Sequence, residues 1–310
     1  LTNPNHKTPS FSRDMAFEYG KLELIAPGVR RIVCENAGPF TFRGTNLYVV
    51  GEGDVAAIDP GPAGERQIDL LLDALGQSGE RVAHIILTHC HADHSGAAAA
   101  LKARTGAPTY GFARDADDTV IGKRGPSGGD FVIPVTFDVP LRHGDAVRDA
   151  SFELRAIHTP GHAPDHLCFH LAEGNILFSG DTVMGWNTSV VAPPEGNMGD
   201  YLRSLDRLIG RNDAVYFPAH GGPVHEPQRF VKALIFHRRW RELEVLEALR
   251  AGATNIGDMV PRIYAGLEPA LVPAAALSVF ATLEHLVEKQ MVATTRPGAL
   301  DMRQEFALLG

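Results

Sequence analysis

No stretch of the sequence approaches about 18 consecutive apolar residues, which excludes a transmembrane helix and membrane partners of that kind. Cysteine is scarce. Cys34, Cys90 and Cys168 are odd in number and far apart, so they form no disulfide framework, and a cytoplasmic, reducing location is the default expectation. Positive charge is in deficit, with 29 Lys and Arg against 37 Asp and Glu and a net charge of −8. That excludes a bulk electrostatic nucleic-acid binder, although a local groove can still be basic. No charged segment followed by an apolar one opens the chain, as a secretory leader would. Leu1 is not an initiator methionine, so a leader removed before it stays open. No internal repeat of roughly 20–50 residues is visible.

What is present is a chain of 310 residues, 44% hydrophobic, long enough to bury a large core. Its 32 glycines and 21 prolines make it loop-rich. Its 14 histidines are the unusual feature, because several are clustered. Residues 1–27 read as an N-terminal arm, of which 1–20, polar and proline-bearing, dock loosely. β-rich runs at 45–50, 55–59, 84–88, 152–156, 167–171, 176–179 and 214–217 alternate with helical patterns at 68–75, 97–104 and 201–209. Residues 112–139 look like an irregular insertion around Gly125-Pro126-Ser127-Gly128-Gly129. After about Pro227 the pattern becomes helical, at 228–250, 256–264 and 274–289. A short β-like tail at 291–295 and a turn at Pro297-Gly298 follow. Helix, helix, helix, strand, turn, strand is the order of a winged helix.

The first chemical cluster is Thr88-His89-Cys90-His91-Ala92-Asp93-His94, where an apolar strand runs into a turn and a helix. Imidazole and carboxylate suit Zn²⁺, with Mn²⁺ and Fe²⁺ as alternatives. In an extended segment His89 and His91 share a face while Cys90 points away. Asp93 and His94, turning into the helix, can face a second centre. Complementary groups recur downstream: His162 in Thr159-Pro160-Gly161-His162, Asp181 in Phe178-Ser179-Gly180-Asp181, and His220 in Phe217-Pro218-Ala219-His220. Each lies just past a strand's end, where α/β architectures gather their sites.

This ordered set (HxHxDH, then His, Asp and His) resembles the metallo-β-lactamase superfamily over residues 28–227. The resemblance implies an αββα sandwich of two sheets flanked by helices. Carried over, His89, His91 and His162 would hold one metal, Asp93, His94 and His220 a second, and Asp181 would bridge the two. Asp59, in Ile58-Asp59-Pro60-Gly61, matches the family's first motif and would support a ligand histidine from behind. Thr88 and His166 are candidates for the same supporting role. The implied enzyme is a hydrolase using a hydroxide bound between two Zn²⁺ ions per chain, with Asp93 as the catalytic carboxylate that orients the nucleophile and moves a proton. An aspartate at position 181 argues against antibiotic hydrolysis, because true β-lactamases usually place Cys or Ser there.

Residues His237-Arg238-Arg239-Trp240-Arg241-Glu242 resemble a stretch in the β-lactamase-like protein 2 subfamily, which joins this catalytic domain to a C-terminal winged helix and is linked to single-stranded RNA cleavage. The expected architecture is therefore α+β: the arm at 1–27, a catalytic sandwich at 28–227, and a long helix plus winged-helix-like domain at 228–310. From residue 241 onward there are 6 Lys and Arg against 9 Asp and Glu. Duplex DNA binding is unfavourable for such a domain, which reads instead as a structural, dimer-forming or lid element, with a homodimer left open. Arg238, Arg239 and Arg241 are candidate contacts for an anionic substrate, and Trp186 and Tyr201 candidate lining of the cleft. The leading expectation is a single-stranded RNA endonuclease. A glyoxalase II-like thioesterase, esterase or lactonase, acting on a small ester or thioester, is the alternative. A nucleic-acid-binding module with a structural metal is a non-enzyme rival, weakened because structural zinc sites are closed and often cysteine-rich.

Overall fold

The computed structural model describes residues 9–113, 132–133, 135–296 and 300–309. The first sheet contains β1 (Glu23–Ala26), β2 (Val29–Val33), β3 (Asn46–Val50), β4 (Asp54–Ile58), β5 (Arg81–Ile86), β6 (Thr109–Phe112) and β7 (Val139–Leu141), in that spatial order. Its pairs are antiparallel from β1 to β4 and parallel from β4 to β7. The helices α1 (Arg66–Ser78), α2 (Ala92–Ser95) and α3 (Ala98–Thr105) are connected through this sheet. The second sheet contains β8 (Ala146–Asp149), β9 (Phe152–His158), β10 (Leu167–Leu171), β11 (Ile176–Gly180) and β12 (Val215–Pro218), also in sequence order across the sheet. Only its last pair, β11 with β12, is parallel. The connection between them carries α4 (Met198–Ile209).

Burial on both faces explains the continuous apolar runs. In β3, Tyr48 and Val50 face a core between the sheets, with Ile58, Phe169, Phe178 and Phe217. Its neighbours Leu47 and Val49 face the other way, into a core with Ile68, Leu71 and Leu75 of α1. Those three residues, spaced i, i+3 and i+7, form one stripe of the helix. On the far side Leu177 and Cys168 pack against Tyr201, Leu205 and Leu208 of α4. The layers are thus helix, sheet, sheet, helix.

The long helix α5 (Pro227–Arg250) belongs to two cores. Val231, Leu234 and Ile235 pack with α4 and the second sheet. Val245, Leu246 and Leu249 pack with α6 (Ile256–Ile263), α7 (Val272–Glu288), β13 (Val292–Thr294) and β14 (Phe306–Leu308). β13 and β14 pair antiparallel, completing a winged-helix-like unit. Among the described residues no helix is long and apolar enough to cross a membrane.

The strand expected at 84–88 stops at Ile86, because the Thr88 N–H is taken by the Asp59 side chain. The short strands β1, β6, β7 and β8 were not anticipated. Residues 9–20, expected to dock loosely, are anchored. Ser12 N–H donates to the Gly185 carbonyl, the Ala16 carbonyl accepts from Arg31, and Phe11 packs edge-on to Phe230. Most of the 112–139 insertion and the Pro297-Gly298 turn lie outside the described residues.

Candidate metal centre

The chain emerging from β5 turns through Thr88 to His91 and enters α2, so the HxHxDH segment wraps one end of the sandwich. The β9–β10 loop brings His162 to the same place, the end of β11 brings Asp181, and the end of β12 brings His220. His89 Nε2 lies 2.8 Å and His162 Nε2 3.0 Å from His91 Nδ1. Beside this triad, Asp93 Oδ2 lies 3.4 Å from His94 Nε2 and 3.2 Å from His220 Nε2. Asp181 stands between the two groups: Oδ2 is 3.5 Å from His162 Nε2 and 3.7 Å from His94 Nε2, and Oδ1 is 3.5 Å from His220 Nε2. Ligands at about 2.0–2.1 Å from a tetrahedral ion lie roughly 3.3–3.4 Å from each other. The donor separations here, from 2.8 to 3.7 Å, bracket that value.

The outward nitrogen of each imidazole is held, and the holder assigns the tautomer. Asp59, 1% exposed, accepts from Thr88 N–H at 2.8 Å, Thr88 Oγ1 at 2.7 Å and His94 Nδ1 at 2.9 Å. Because the Thr88 hydroxyl donates to Asp59, its oxygen accepts from His89 Nδ1 at 3.0 Å. His162 Nδ1 donates to the Val190 carbonyl at 2.6 Å, and His220 Nδ1 to the Gly44 carbonyl at 3.2 Å. His91 is reversed, with Nδ1 inward and Nε2 donating to Glu195 Oε2 at 3.1 Å. In the neutral form, each of the five rings therefore aims a lone pair at the centre. Lone pairs only 2.8 Å apart, as on His89 and His91, repel unless a cation lies between them.

The electrostatics divide the rings into two groups. Burial holds His89 and His166 well below the usual imidazole range and His162 at about 4. Burial also opposes a charge on His94 and His220, but nearby carboxylates outweigh it and raise both. The Asp93 and Asp181 carboxyls are lowered despite burial, by the surrounding imidazoles. His94 Nε2 and Asp181 Oδ1 are buried without a hydrogen-bond partner among the described residues. Orphaned buried acceptors of this kind are costly, and a divalent cation satisfies them. The donor set fits a metal pair.

His166 stands behind Asp181. Its Nε2 accepts the Asp181 N–H at 3.0 Å while Nδ1 faces the hydroxyls of Thr159 and Thr182. Gly180, at φ +49°, leaves room for this ring, since a Cβ there would lie 2.4 Å from His166 Nε2. Trp186 is buried against Phe42, with ring centroids 5.0 Å apart. Tyr201 is fully buried and donates to the Thr182 carbonyl, so it is core rather than cleft lining. The three arginines diverge. Arg238 is buried over the Tyr201 ring and donates to the Ser189 carbonyl, Arg239 is exposed, and Arg241 pairs with Glu244 and covers Tyr264. Successive helical residues are about 100° apart, which is why a tight sequence cluster disperses in space. Glu195 and the carbonyls of Gly44 and Val190 were missed. Backbone acceptors carry no side-chain signal, and Pro193-Pro194-Glu195-Gly196 reads as an ordinary turn.

Residues 40–220 match the family model described as the metallo-beta-lactamase superfamily, more than half of the chain. The chain belongs to the metallo-β-lactamase superfamily. Residues 256–297 match the beta-lactamase associated winged helix domain. The lactamase-like protein adaB of Aspergillus niger is 32% identical over 303 residues, covering 93% of this chain and 88% of that protein. The atrochrysone carboxyl ACP thioesterase AgnL7 of Paecilomyces divaricatus is 35% identical over 231 residues, 74% of this chain and 66% of its own length. A beta-lactamase domain protein from Burkholderia ambifaria shares the fold, with a TM-score of 0.78, 22% identity and 99% of each chain covered. As a member of the metallo-β-lactamase superfamily with a dinuclear His/Asp site, the protein is a metal-dependent hydrolase.

Proposed function

We propose that this hydrolase is a thioesterase whose substrates are acyl groups carried as thioesters on a carrier-protein or pantetheine-type thiol. The observation that carries the reading is the 35% identity to a fungal ACP thioesterase. The dispersal of Arg238, Arg239 and Arg241 supports it over the RNA endonuclease, because a polyanion needs cations gathered along its path. His89, His91 and His162 would hold the first ion, and Asp93, His94 and His220 the second, with Asp181 available to both. Zn²⁺ is the ion this imidazole and carboxylate set suits best.

Two ions held there would supply a lowered water pKa and polarisation of the acyl oxygen. The chain's own residues place the reactants. Asp93, whose side chain is 29% exposed, faces the entry more than the other donors and orients the attacking water through its carboxylate. Water adds to the acyl carbon, the C–S bond breaks, and a carboxylic acid and a thiol result. A thiol has a pKa near 8–9, so its anion leaves without a strong general acid.

The test is a Zn²⁺-reconstituted enzyme offered acyl-pantetheine and acyl-carrier thioesters, a p-nitrophenyl ester, a lactone and single-stranded RNA. Thioesters should turn over fastest, and Asp181→Ala should lose activity by orders of magnitude while keeping the fold. RNA cleaved faster than any thioester, or thioester turnover unchanged in the Asp181 variant, overturns the proposal.

A further inference from the structure

We infer that Glu195 is a positioning residue for His91, a carboxylate that fixes the tautomer and aim of one ligand from across the cleft. The inference rests on the reading of His91 as a ligand.

His91 has a geometric problem that the other four histidines lack. Those four turn Nε2 inward, so the nitrogen left over is Nδ1, next to their own backbone. Thr88, Asp59 and the carbonyls of Val190 and Gly44 reach it there. His91 turns Nδ1 inward, which sends Nε2 to the far side of the ring. Its partner has to be delivered by another segment, and the β11–α4 loop delivers Glu195 Oε2 at 3.1 Å.

The loop is built to hold that carboxylate still. Pro193 and Pro194 fix two φ angles immediately before it. Gly196 N–H donates to the Ala192 carbonyl at 2.9 Å, closing a turn so tight that a Cβ at Gly196 would lie 2.3 Å from Ala192 N. One residue further, Asn197 N–H donates to the Gly161 carbonyl at 2.9 Å, and its side chain caps α4 at Asp200 N–H and donates to Glu288 of α7. The same loop is fastened to α5 where Arg238 donates to the Ser189 carbonyl. The winged-helix-like unit therefore braces the segment that supplies Glu195.

Packing alone does not account for a carboxylate here. The Glu195 side chain is 9% exposed, and its second oxygen, Oε1, is buried without a hydrogen-bond partner among the described residues. Burying half a carboxylate unpaired is unfavourable, and folds retain such costs mainly at functional positions. A carboxylate behind a ligand imidazole fixes the ring and raises its basicity, and losing such a partner typically weakens metal binding 10–100-fold.

The experiment uses the full chain and reads metal binding directly, with Zn²⁺ in competition with a chromophoric chelator and the absorption spectrum of the Co²⁺-loaded protein. His91→Ala should lose one of two ions. Glu195→Ala should keep both, with one bound about 10–100-fold more weakly and an altered Co²⁺ spectrum. Glu195→Gln, whose amide oxygen still accepts from Nε2, should recover most of the loss. Parent affinity for both ions in Glu195→Ala, with one ion lost in His91→Ala, overturns the inference alone. Two ions retained at parent affinity by His91→Ala overturns the ligand reading beneath it. An equal weakening of both ions together with a lower Tm of the metal-free protein makes Glu195 mere packing, and also overturns it.

Discussion

Replacing Asp59 by asparagine separates a tautomer from a fold. The carboxylate accepts three hydrogen bonds, from Thr88 N–H, Thr88 Oγ1 and His94 Nδ1. Asp59→Ala would strand three buried donors at about 1–3 kcal/mol each. That total is comparable with the roughly 5–15 kcal/mol that stabilises a whole domain, so the alanine variant confounds function with unfolding. Asparagine is cleaner. Its oxygen keeps the Thr88 N–H, and its NH₂ replaces Oδ2. The Thr88 hydroxyl then accepts from that NH₂ and turns its own hydrogen toward His89 Nδ1, and His94 Nδ1 becomes an acceptor. The hydrogen-bond count survives, but both rings now point Nε2–H at the centre. Losing the correct outer partner weakens binding about 10–100-fold per histidine. Two coupled flips therefore give a loss on the order of 10²–10⁴, or about 3–5.5 kcal/mol at 1.4 kcal/mol per decade. The assays are the unfolding free energy of the metal-free protein, expected to change by about 1 kcal/mol or less, and Zn²⁺ affinity by chelator competition. An Asp59→Asn protein that binds two ions at parent affinity would refute the tautomer argument.

Gly180→Ala should cost about 1–2 kcal/mol from the left-handed backbone alone and push His166 off the Asp181 N–H; thermal melts and turnover check it, and an unchanged kcat with an unchanged Tm counts against it. Burial, reinforced by Glu288, pushes the Glu284 carboxyl up to about 7. A carboxyl raised in the folded state contributes stability below its ordinary value of 4.5 and loses it as pH rises through 7. Glu284→Gln should therefore raise the Tm at pH 8 and leave it unchanged at pH 4, and an identical Tm difference at both values contradicts the shift. Truncation after Glu226 removes Val231, Leu234 and Ile235 from the core they share with α4, each worth about 1.5–3 kcal/mol. Insoluble or unfolded protein is expected, and a soluble, metal-loaded fragment would show the catalytic part to be independent.

The seven His and Asp side chains that converge at the candidate metal centre were legible because side chains at fixed spacing, HxHxDH above all, leave a record in one dimension. Asp59 and Thr88 were legible for the same reason, since each lies at the end of an apolar run. β3 and β4 could be read from continuous apolar residues, but the short strands β6 to β8 lie on either side of a Gly- and Pro-bearing insertion and carry little periodicity. Arg238, Arg239 and Arg241 suggested one basic patch because sequence adjacency hides the 100° step of a helix. Glu195 was out of reach altogether. Its role depends on which nitrogen His91 turns inward, and that is settled only when the β11–α4 loop folds across the site.

Val190 has a consequence for how such enzymes diversify. It holds His162 through its carbonyl, a group that every amino acid possesses. Position 190 can therefore change its side chain while the imidazole held by its carbonyl stays aimed. Gly44 holds His220 in the same way but has no such licence, because any Cβ there would lie 1.9 Å from the Cys34 carbonyl oxygen. Of the two backbone acceptors that aim the imidazoles, one thus sits at a position free to vary and the other at a position that must remain glycine.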